Sequence, residues 1–564
     1  MLFCFRSPGV FWVPGNELEY YTMNRSLTLV TSLILVACSP PSTESQYVDP
    51  APDLAQVEAA GETLQGEILD TDAQLAVFRG IPFAAPPVGE LRWQPPQPHV
   101  ARDGVQRAKE FGAVCPQGQG NVEFYRNVAR KFGLSPDLPA LENIQEDCLY
   151  LNVWTTALGA EQKQPVMIWI YGGGNTDGYA DDSDYLGDAL AKRGVVYVSF
   201  NYRLGYLGYM AHPGLSTELT NGVSGNYGIL DQLAALRWVQ ENIAAFGGDP
   251  ENVTILGESA GGANIGTLIA SPLGTGLFDR AIIQSGGYEI SSLYSLAEAE
   301  SIGSKVATTL GFDDAMSNVE VVDGMRELDW QTLVDNPDLA QFGRPRAVNI
   351  DGYVLPQSKA SIFEAGSNSD IEVIIGTNAN ESFTNLSADA TPESFLERLA
   401  TYGEPYSTEL REVLADDIEA DLPLAMDRFG SASFFLCGSR YIANNMARNS
   451  SDVFFYYFTR VRPGGEKLLA YHGAEIPYAL DTAADWLPAD ETDENLTAAM
   501  SQYWLNFAST GNPNGNGLAE WPLYDTEKRS YQVLGDEIET KMDIEPEICD
   551  IMDRHLQERM AAIH

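Results

Sequence analysis

The chain has 564 residues, of which 44% are hydrophobic and 10% aromatic, a composition typical of a globular protein with a large core. Acidic residues number 79 against 34 Lys and Arg, so the formal net charge is −45 at pH 7. This charge argues against a nucleic-acid partner, because phosphate backbones are bound through Lys and Arg, and it predicts a well-hydrated acidic surface.

The amino-terminal segment predicts export and a lipid anchor. A short apolar run fits a signal peptide over residues 23–37, with translation starting at Met23 and residues 1–22 as upstream sequence. The run ends in LVAC, which resembles a bacterial lipobox whose cysteine, here Cys38, is lipidated; an ordinary secretory signal is the alternative. We therefore expect an envelope protein, on the periplasmic or outer-membrane side, with a flexible tether over residues 38–54 and no other membrane contact.

Residues 55–564 predict one α/β domain, because neither an internal repeat nor a linker interrupts them. Alternating apolar residues over Leu64–Ala84 predict an antiparallel hairpin. After Pro165, the short apolar runs VMIWIY, VVYVSF, VTIL and RAIIQS predict strands buried on both faces, with a helix over Gly228–Phe246 between the second and the third. Strands that alternate with helices predict a mostly parallel sheet with helices on both faces.

The second half continues this alternation with more helix. Ser291–Val334 is mainly helical in pattern, the runs IEVIIG and VFFYYF predict two further strands, and a helix is expected near Leu496–Ser509. The carboxyl-terminal residues read as a polar tail.

Ser259 is the candidate nucleophile. It follows the strand VTIL in the stretch TILGESAGGANIG, and Gly257-Glu258-Ser259-Ala260-Gly261 is a GxSxG pattern between a strand and a helix. A phosphate-binding loop is a poor alternative, because neither GxxxxGK[ST] nor GxGxxG is present here. Glycines beside the serine allow the tight, strained turn that exposes a nucleophile.

A serine nucleophile needs a base, and the base needs an acid that orients it. In this fold the chain order is Ser, acid, His, and His472 is the one histidine that follows Ser259 outside the carboxyl-terminal tail. Glu381 lies in the loop after the strand IEVIIG and is the candidate acid. Asp351 is the rival, but its Asp-Gly sequence is typical of a turn.

An oxyanion hole needs backbone N–H groups that point at the developing negative charge. Ala260 follows the nucleophile directly, and the glycine loop of IWIYGGGNTDG supplies Gly173 and Gly174. A plain glycine turn is the alternative for this loop.

Four cysteines follow the leader, and they allow three disulfide pairings. The short separation favours Cys115–Cys148, which leaves Cys437–Cys549. No pair has CxxC spacing and the chain has 5 histidines, so we expect no metal site.

These residues resemble the type-B carboxylesterase and cholinesterase family of α/β-hydrolases. The matching stretches include FRGIPFAAPPVGELRW, EDCLYLNVW, FNYRLGYLG, FDRAIIQSGG and EWPLYD, and the similarity extends over about residues 60–555. The resemblance implies an α/β-hydrolase fold with helical insertions, ester hydrolysis and no cofactor. It places Ser259, Glu381 and His472 on the family triad. It also implies the oxyanion-hole role of Gly173, Gly174 and Ala260, and the two disulfides named above.

Two departures from the family pattern are visible. Ser382 follows Glu381 where the family usually has glycine, which predicts a differently shaped acid loop. The segment between Cys115 and Cys148 has Phe124 and Tyr125 but no tryptophan, which cholinesterases use there to hold a quaternary ammonium by cation–π contact.

The sequence therefore favours a serine carboxylesterase that acts on neutral esters with short to medium acyl chains. A non-catalytic binding or adhesion protein of the same fold is the main alternative, and the intact triad argues against it. Amidase, thioesterase and polyester hydrolase activities use the same machinery and stay open, as does the oligomeric state.

Overall fold

The computed structural model describes residues 55–562 except 293, 313–314, 344–347 and 388. These residues belong to one compact unit. The predicted upstream segment, signal peptide, lipidated Cys38 and tether lie outside the described residues.

Fourteen strands and seventeen helices are present in the described part of the chain. The strands are β1 (Gln56–Ala59), β2 (Glu62–Gln65), β3 (Glu67–Asp70), β4 (Leu75–Pro82), β5 (Val105–Arg107), β6 (Tyr150–Thr155), β7 (Gln164–Ile170), β8 (Val196–Phe200), β9 (Gly248–Glu258), β10 (Arg280–Gln284), β11 (Glu372–Asn378), β12 (Val453–Phe458), β13 (Ser530–Leu534) and β14 (Ile538–Met542). The helices are α1 (Gly120–Lys131), α2 (Asp188–Ala191), α3 (Gly205–Tyr209), α4 (Pro213–Glu218), α5 (Tyr227–Asn242), α6 (Ala260–Ala270), α7 (Leu296–Thr309), α8 (Asn318–Arg326), α9 (Gln331–Val334), α10 (Lys359–Glu364), α11 (Pro392–Ala400), α12 (Tyr406–Ala420), α13 (Leu422–Ser431), α14 (Cys437–Arg448), α15 (Ile476–Leu480), α16 (Glu491–Thr510) and α17 (Pro546–Ala561).

The main sheet has eleven strands in the order β14-β13-β12-β11-β10-β9-β7-β8-β6-β4-β3. Its centre, from β13 to β8, is parallel, and both edges are antiparallel. The central strands are almost fully buried because helices cover both faces of the sheet, which explains their continuous apolar sequences. The prediction of a mostly parallel sheet is confirmed.

The predicted hairpin is present but shorter than expected. Strands β3 and β4 pair antiparallel across a turn, whereas β2 pairs with β1 and β5 in a separate three-stranded sheet.

The helix predicted over Gly228–Phe246 is α5 followed by a 3₁₀ turn, Ile243–Phe246, which ends at Gly247 with φ 84°. A left-handed residue at this position is a common way to end a helix, and glycine adopts it without strain.

The expectation of a polar carboxyl-terminal tail is wrong. This region forms the hairpin β13–β14 and the helix α17, whose buried face includes Ile548, Ile551 and Leu556. His555 lies on α17, and its ring packs against Tyr402 and Tyr406 with ring centroids 5.3 and 5.1 Å apart. The sequence of α17 is polar on average because its exposed face is polar, but its apolar residues recur at helical spacing and form the buried face.

Two disulfides are present, Cys115–Cys148 and Cys437–Cys549. The second joins α14 to α17 and closes 112 residues of chain, which anchors the carboxyl-terminal helix. No helix among the described residues is both long enough and apolar enough to cross a membrane.

Candidate active site

A sharp turn between β9 and α6 presents Ser259. Its backbone has φ 54° and ψ −121°, a strained conformation for a residue with a side chain. A Cβ atom at Gly257 would lie 2.4 Å from the carbonyl oxygen of Ile170, and one at Gly261 would lie 1.9 Å from it. The two outer glycines of the GxSxG pattern are therefore required by the close approach of strand β7.

Three of the predicted residues form one hydrogen-bonded chain. The Oγ atom of Ser259 lies 2.8 Å from Nε2 of His472, and Nδ1 of the same ring lies 2.6 Å from Oε2 of Glu381. Glu381 is 1% exposed, whereas the imidazole and the serine reach a cavity. This is the geometry in which a neutral imidazole can take the serine proton.

The buried carboxylate of Glu381 is held by more than the histidine. Its Oε1 atom accepts hydrogen bonds from the Ser285 hydroxyl at 2.5 Å and from the Asn378 N–H at 2.8 Å. These donors keep the carboxylate fixed, so that Oε2 faces His472. Asp351, the rival acid, instead accepts the N–H groups of Tyr353, Val354 and Leu355, as a turn-forming aspartate does.

The acid loop does not need the glycine that the family usually has after the glutamate. Ser382 adopts φ −95° and ψ −13°, which any residue can adopt, and its N–H donates to Asp427 Oδ1 at 3.1 Å. Asp427 also accepts Asn380 Nδ2 at 2.7 Å, so one buried carboxylate holds both neighbours of Glu381. A Cβ at Gly430 would lie 2.6 Å from Oγ of Ser382, so the missing side chain at Gly430 makes room for the serine.

The predicted oxyanion-hole residues lie beside the nucleophile. Gly173 and Gly174 line the same cavity as Ser259, with φ of 93° and 64°. A Cβ at Gly173 would lie 2.2 Å from the carbonyl oxygen of Asp177, so a side chain cannot fit there. In the described part of the chain, the N–H groups of Gly173, Gly174 and Ala260 donate to no other protein group, which leaves them available to an oxyanion.

Two further glutamates surround the histidine. Glu258 Oε1 lies 3.2 Å from His472 Nε2, and burial raises the pKa of this carboxyl to about 8 against the opposing charge of His472. Burial and the charge of Glu381 raise the pKa of Glu475 to about 7, although side-chain amides of Asn378 and Gln284 hydrogen-bond it. Burial alone would lower the pKa of His472, but the carboxylates of Glu258 and Glu381 outweigh it and raise that pKa.

The cavity in front of Ser259 has a volume of about 490 Å³. Its described lining has carboxylates and aromatic rings but neither Lys nor Arg. The rings belong to Phe124, Tyr125, Tyr185, Tyr471 and Trp486. The segment between Cys115 and Cys148 has no tryptophan, as the sequence shows, but the pocket does contain one. Trp486, from the segment between α15 and α16, lines the cavity and corrects the sequence-based view of the pocket.

Several site residues were not predicted: Ser285, Asp427, Glu475 and Trp486. Of these, Glu475 had a local signal, since it is an apolar-flanked acid three residues after His472. The others reach the site from distant segments, and no spacing in the sequence indicates that. Among the described residues, no group of three or more His, Cys, Asp or Glu side chains is arranged to hold a metal ion.

Comparison with known proteins agrees with this geometry. The sequence profile of the carboxylesterase family matches residues 53–552. The chain is 35% identical over 534 residues to fumonisin B1 esterase of Sphingopyxis macrogoltabida, covering 91% of this chain and 92% of that protein. It is 32% identical over 493 residues to para-nitrobenzyl esterase of Bacillus subtilis (strain 168), covering 83% and 93%.

The fold comparison gives the same result. The crystal structure of the Geobacillus stearothermophilus carboxylesterase EST55 superimposes with a TM-score of 0.74 and 31% sequence identity, covering 88% of this chain and 99% of that one. The chain therefore belongs to the carboxylesterase family, with its α/β-hydrolase fold, and is a carboxylic ester hydrolase.

Proposed function

We propose that Ser259, His472 and Glu381 hydrolyse carboxylic esters through an acyl-enzyme intermediate. The observation that carries this proposal is the unbroken chain of contacts from Ser259 Oγ through both ring nitrogens of His472 to Glu381. The uncommitted N–H groups beside Ser259 support it, because they are placed for a negative charge that the ground state lacks.

The reaction follows from these positions. His472 Nε2 takes the hydroxyl proton as Ser259 Oγ attacks the ester carbonyl, and the N–H groups of Gly173, Gly174 and Ala260 bind the oxyanion. The imidazolium then gives its proton to the leaving alcohol. Water, deprotonated by the same imidazole, attacks the acyl-enzyme. The imidazolium then returns the proton to Ser259 Oγ as the acid leaves. Glu381 accepts the hydrogen bond from Nδ1 and keeps the ring oriented towards Ser259.

We further propose that the substrates are neutral esters with short to medium acyl chains. The carboxylates of the cavity wall already have protein partners: Asp177 accepts the Gly120 N–H at 3.2 Å and the Thr176 hydroxyl at 2.8 Å, and Glu258 contacts His472. Burial raises the pKa of Asp184 to about 7, which weakens its charge near neutral pH. A cavity of about 490 Å³ is of the size that holds a small organic molecule, so a long acyl chain would extend beyond it.

We propose export and lipid anchoring at Cys38 in the bacterial cell envelope. The LVAC motif supports this, and so do two disulfides, which persist in oxidising compartments. Mass spectrometry of the mature amino terminus should find an acylated Cys38 that Cys38→Ser removes. Cleavage at another residue, or an unmodified Cys38, would contradict the proposal.

Replacing the nucleophile should abolish activity without unfolding the protein. Ser259→Ala should lower kcat on p-nitrophenyl butyrate by about 10⁶, because loss of a triad serine removes covalent catalysis. Its free energy of unfolding should stay within about 1 kcal/mol of the parent, since alanine has similar backbone preferences at this strained position. Ser271→Ala, at the other end of α6, is the matched control and should keep parental kcat. A kcat within tenfold of the parent in Ser259→Ala would refute the assignment.

Glu258→Gln should shift the acid limb of the kcat/KM pH profile to lower pH. The base must be neutral, and the Glu258 carboxylate favours the protonated imidazole, so its removal lowers the pKa of His472. Glu475→Gln is the control: its carboxylate contributes less to that pKa, so a smaller shift is expected. An acid limb that does not move, or that moves to higher pH, would show that Glu258 carries no charge while His472 titrates.

The preference for neutral esters can be tested with two substrates of one shape. Acetylcholine and 3,3-dimethylbutyl acetate differ in the charge of one central atom, so their kcat/KM ratio isolates electrostatic recognition. We expect the neutral ester to be the better substrate, and kcat/KM in a series of p-nitrophenyl esters from acetate to palmitate to be highest at the short-to-medium end. A clear preference for acetylcholine that Trp486→Leu removes would instead identify a cation site at that ring.

A further inference from the structure

Two buried asparagines connect the glycine loop to the nucleophile helix. Asn264 lies on α6, five residues after Ser259, and Asn175 directly follows Gly174. Their side chains are 0% and 1% exposed. Asn264 Nδ2 donates to Asn175 Oδ1 at 2.8 Å, and Asn175 Nδ2 donates back to Asn264 Oδ1 at 3.2 Å. The two amides thus form a reciprocal pair between the two halves of the candidate site.

The loop on one side of this pair has an unusual backbone. Gly173, Gly174 and Asn175 have φ of 93°, 64° and 57° in succession. After glycine, asparagine is among the residues that adopt this left-handed conformation most readily, and contacts on both sides hold Asn175 in place. The carbonyl of Asn175 accepts the Gly205 N–H at 2.7 Å, which fixes the loop from outside. The amide pair joins the loop to α6.

We propose that the Asn175–Asn264 pair is a positioning device that sets the oxyanion donors at their working distance from Ser259. This inference rests on the proposed function. Gly173 and Gly174 immediately precede Asn175, whereas Ser259 precedes α6, so the pair spans the gap between donors and nucleophile. Both asparagines are positioning residues, because they act through the backbone and do not touch the substrate.

A device of this kind affects the transition state more than the bound substrate, because the oxyanion exists only after attack. Asn264→Ala should therefore lower kcat about 10- to 100-fold and leave KM within about threefold. Affinity for a trifluoromethyl ketone, which forms a tetrahedral oxyanion on the serine, should fall by a similar factor. Thr267→Val is the matched control, since Thr267 is buried on the same helix and bonds to Ala263 and Lys359 rather than to the loop.

The isosteric variant Asn264→Asp separates positioning from packing. In this variant a protonated carboxyl group would donate to Asn175 Oδ1 and accept from Asn175 Nδ2, which rebuilds the pair, whereas an ionised carboxylate would oppose that acceptor. Burial raises the pKa of a carboxyl, so the kcat ratio of variant to parent should fall at least about tenfold between about pH 6 and about pH 9.

Neighbouring groups do not mimic this pH effect. The Tyr202 hydroxyl lies 3.5 Å from Asn175 Oδ1, and Tyr209 is a neighbour of Asn264. Burial holds the pKa of both hydroxyls well above the usual range, so neither ionises between about pH 6 and about pH 9. Other ionisable groups near α6 include Glu258, which directly precedes Ser259, and Lys359, which forms an ion pair with Glu289 at 3.0 Å. All of these groups are present in parent and variant alike, so their effects cancel in the kcat ratio.

The outcomes are distinct. Unchanged kcat in Asn264→Ala, a loss that Thr267→Val reproduces, or a kcat ratio for Asn264→Asp that is independent of pH would each overturn the positioning role. If Asn264→Ala does not fold, the pH ratio of Asn264→Asp decides alone. Labelling of Ser259 by a fluorophosphonate, located by peptide mass spectrometry, tests the proposed function separately. Labelled Ser259 with a flat pH ratio would refute the positioning role and leave the function standing.

Discussion

The close contact between two adjacent strands is the constraint on which the site depends. The carbonyl of Ile170, at the end of β7, lies against both Gly257 and Gly261, and neither position has room for a Cβ atom. The chain can therefore turn within one residue, and that residue, Ser259, takes a left-handed backbone that carries its hydroxyl out of the sheet. The same approach brings the glycine loop after β7 beside the serine, so one steric fact places both the nucleophile and the oxyanion donors.

The electrostatics of the site follow from its burial. Glu258, Glu381 and Glu475 surround one imidazole. Burying three acidic side chains away from water is costly unless each is hydrogen-bonded or paired with a positive charge. Glu381 has two donors besides His472, and Glu475 has two amides, whereas the partner of Glu258 within the described part of the chain is the imidazole at 3.2 Å. Proton transfer from Ser259 adds a proton to the imidazole, and the acidic groups around the ring raise the pKa of His472 and so favour this form. The cluster thus stabilises the histidine in its charged form, at the step where catalysis requires it.

Much of the fold could be predicted from sequence because the central strands are buried on both faces, and such strands have continuous apolar runs that polar loops interrupt. The edge hairpin β13–β14 could not: the residues of β14 are mostly exposed, so it has no such run. His472 was identifiable because histidine is rare in this chain, and Ser259 and Glu381 because each follows a buried strand in the order that the fold requires. Asp427 and Trp486 could not be identified in this way, since neither position has a fixed offset from the triad.

The acid loop shows why a local departure from a family pattern need not change the site. Ser382 occupies a position where glycine is usual, yet Glu381 still reaches His472 at 2.6 Å. The space for the serine side chain comes from Gly430, 48 positions further along the chain, and Asp427 beside it binds the loop backbone. The glycine requirement has in effect moved from the loop to the helix that packs against it. Such an exchange depends on contact between distant segments, so the sequence of the loop alone predicts a change of shape. The folded chain nevertheless retains the contact between Glu381 and His472 that the chemistry needs.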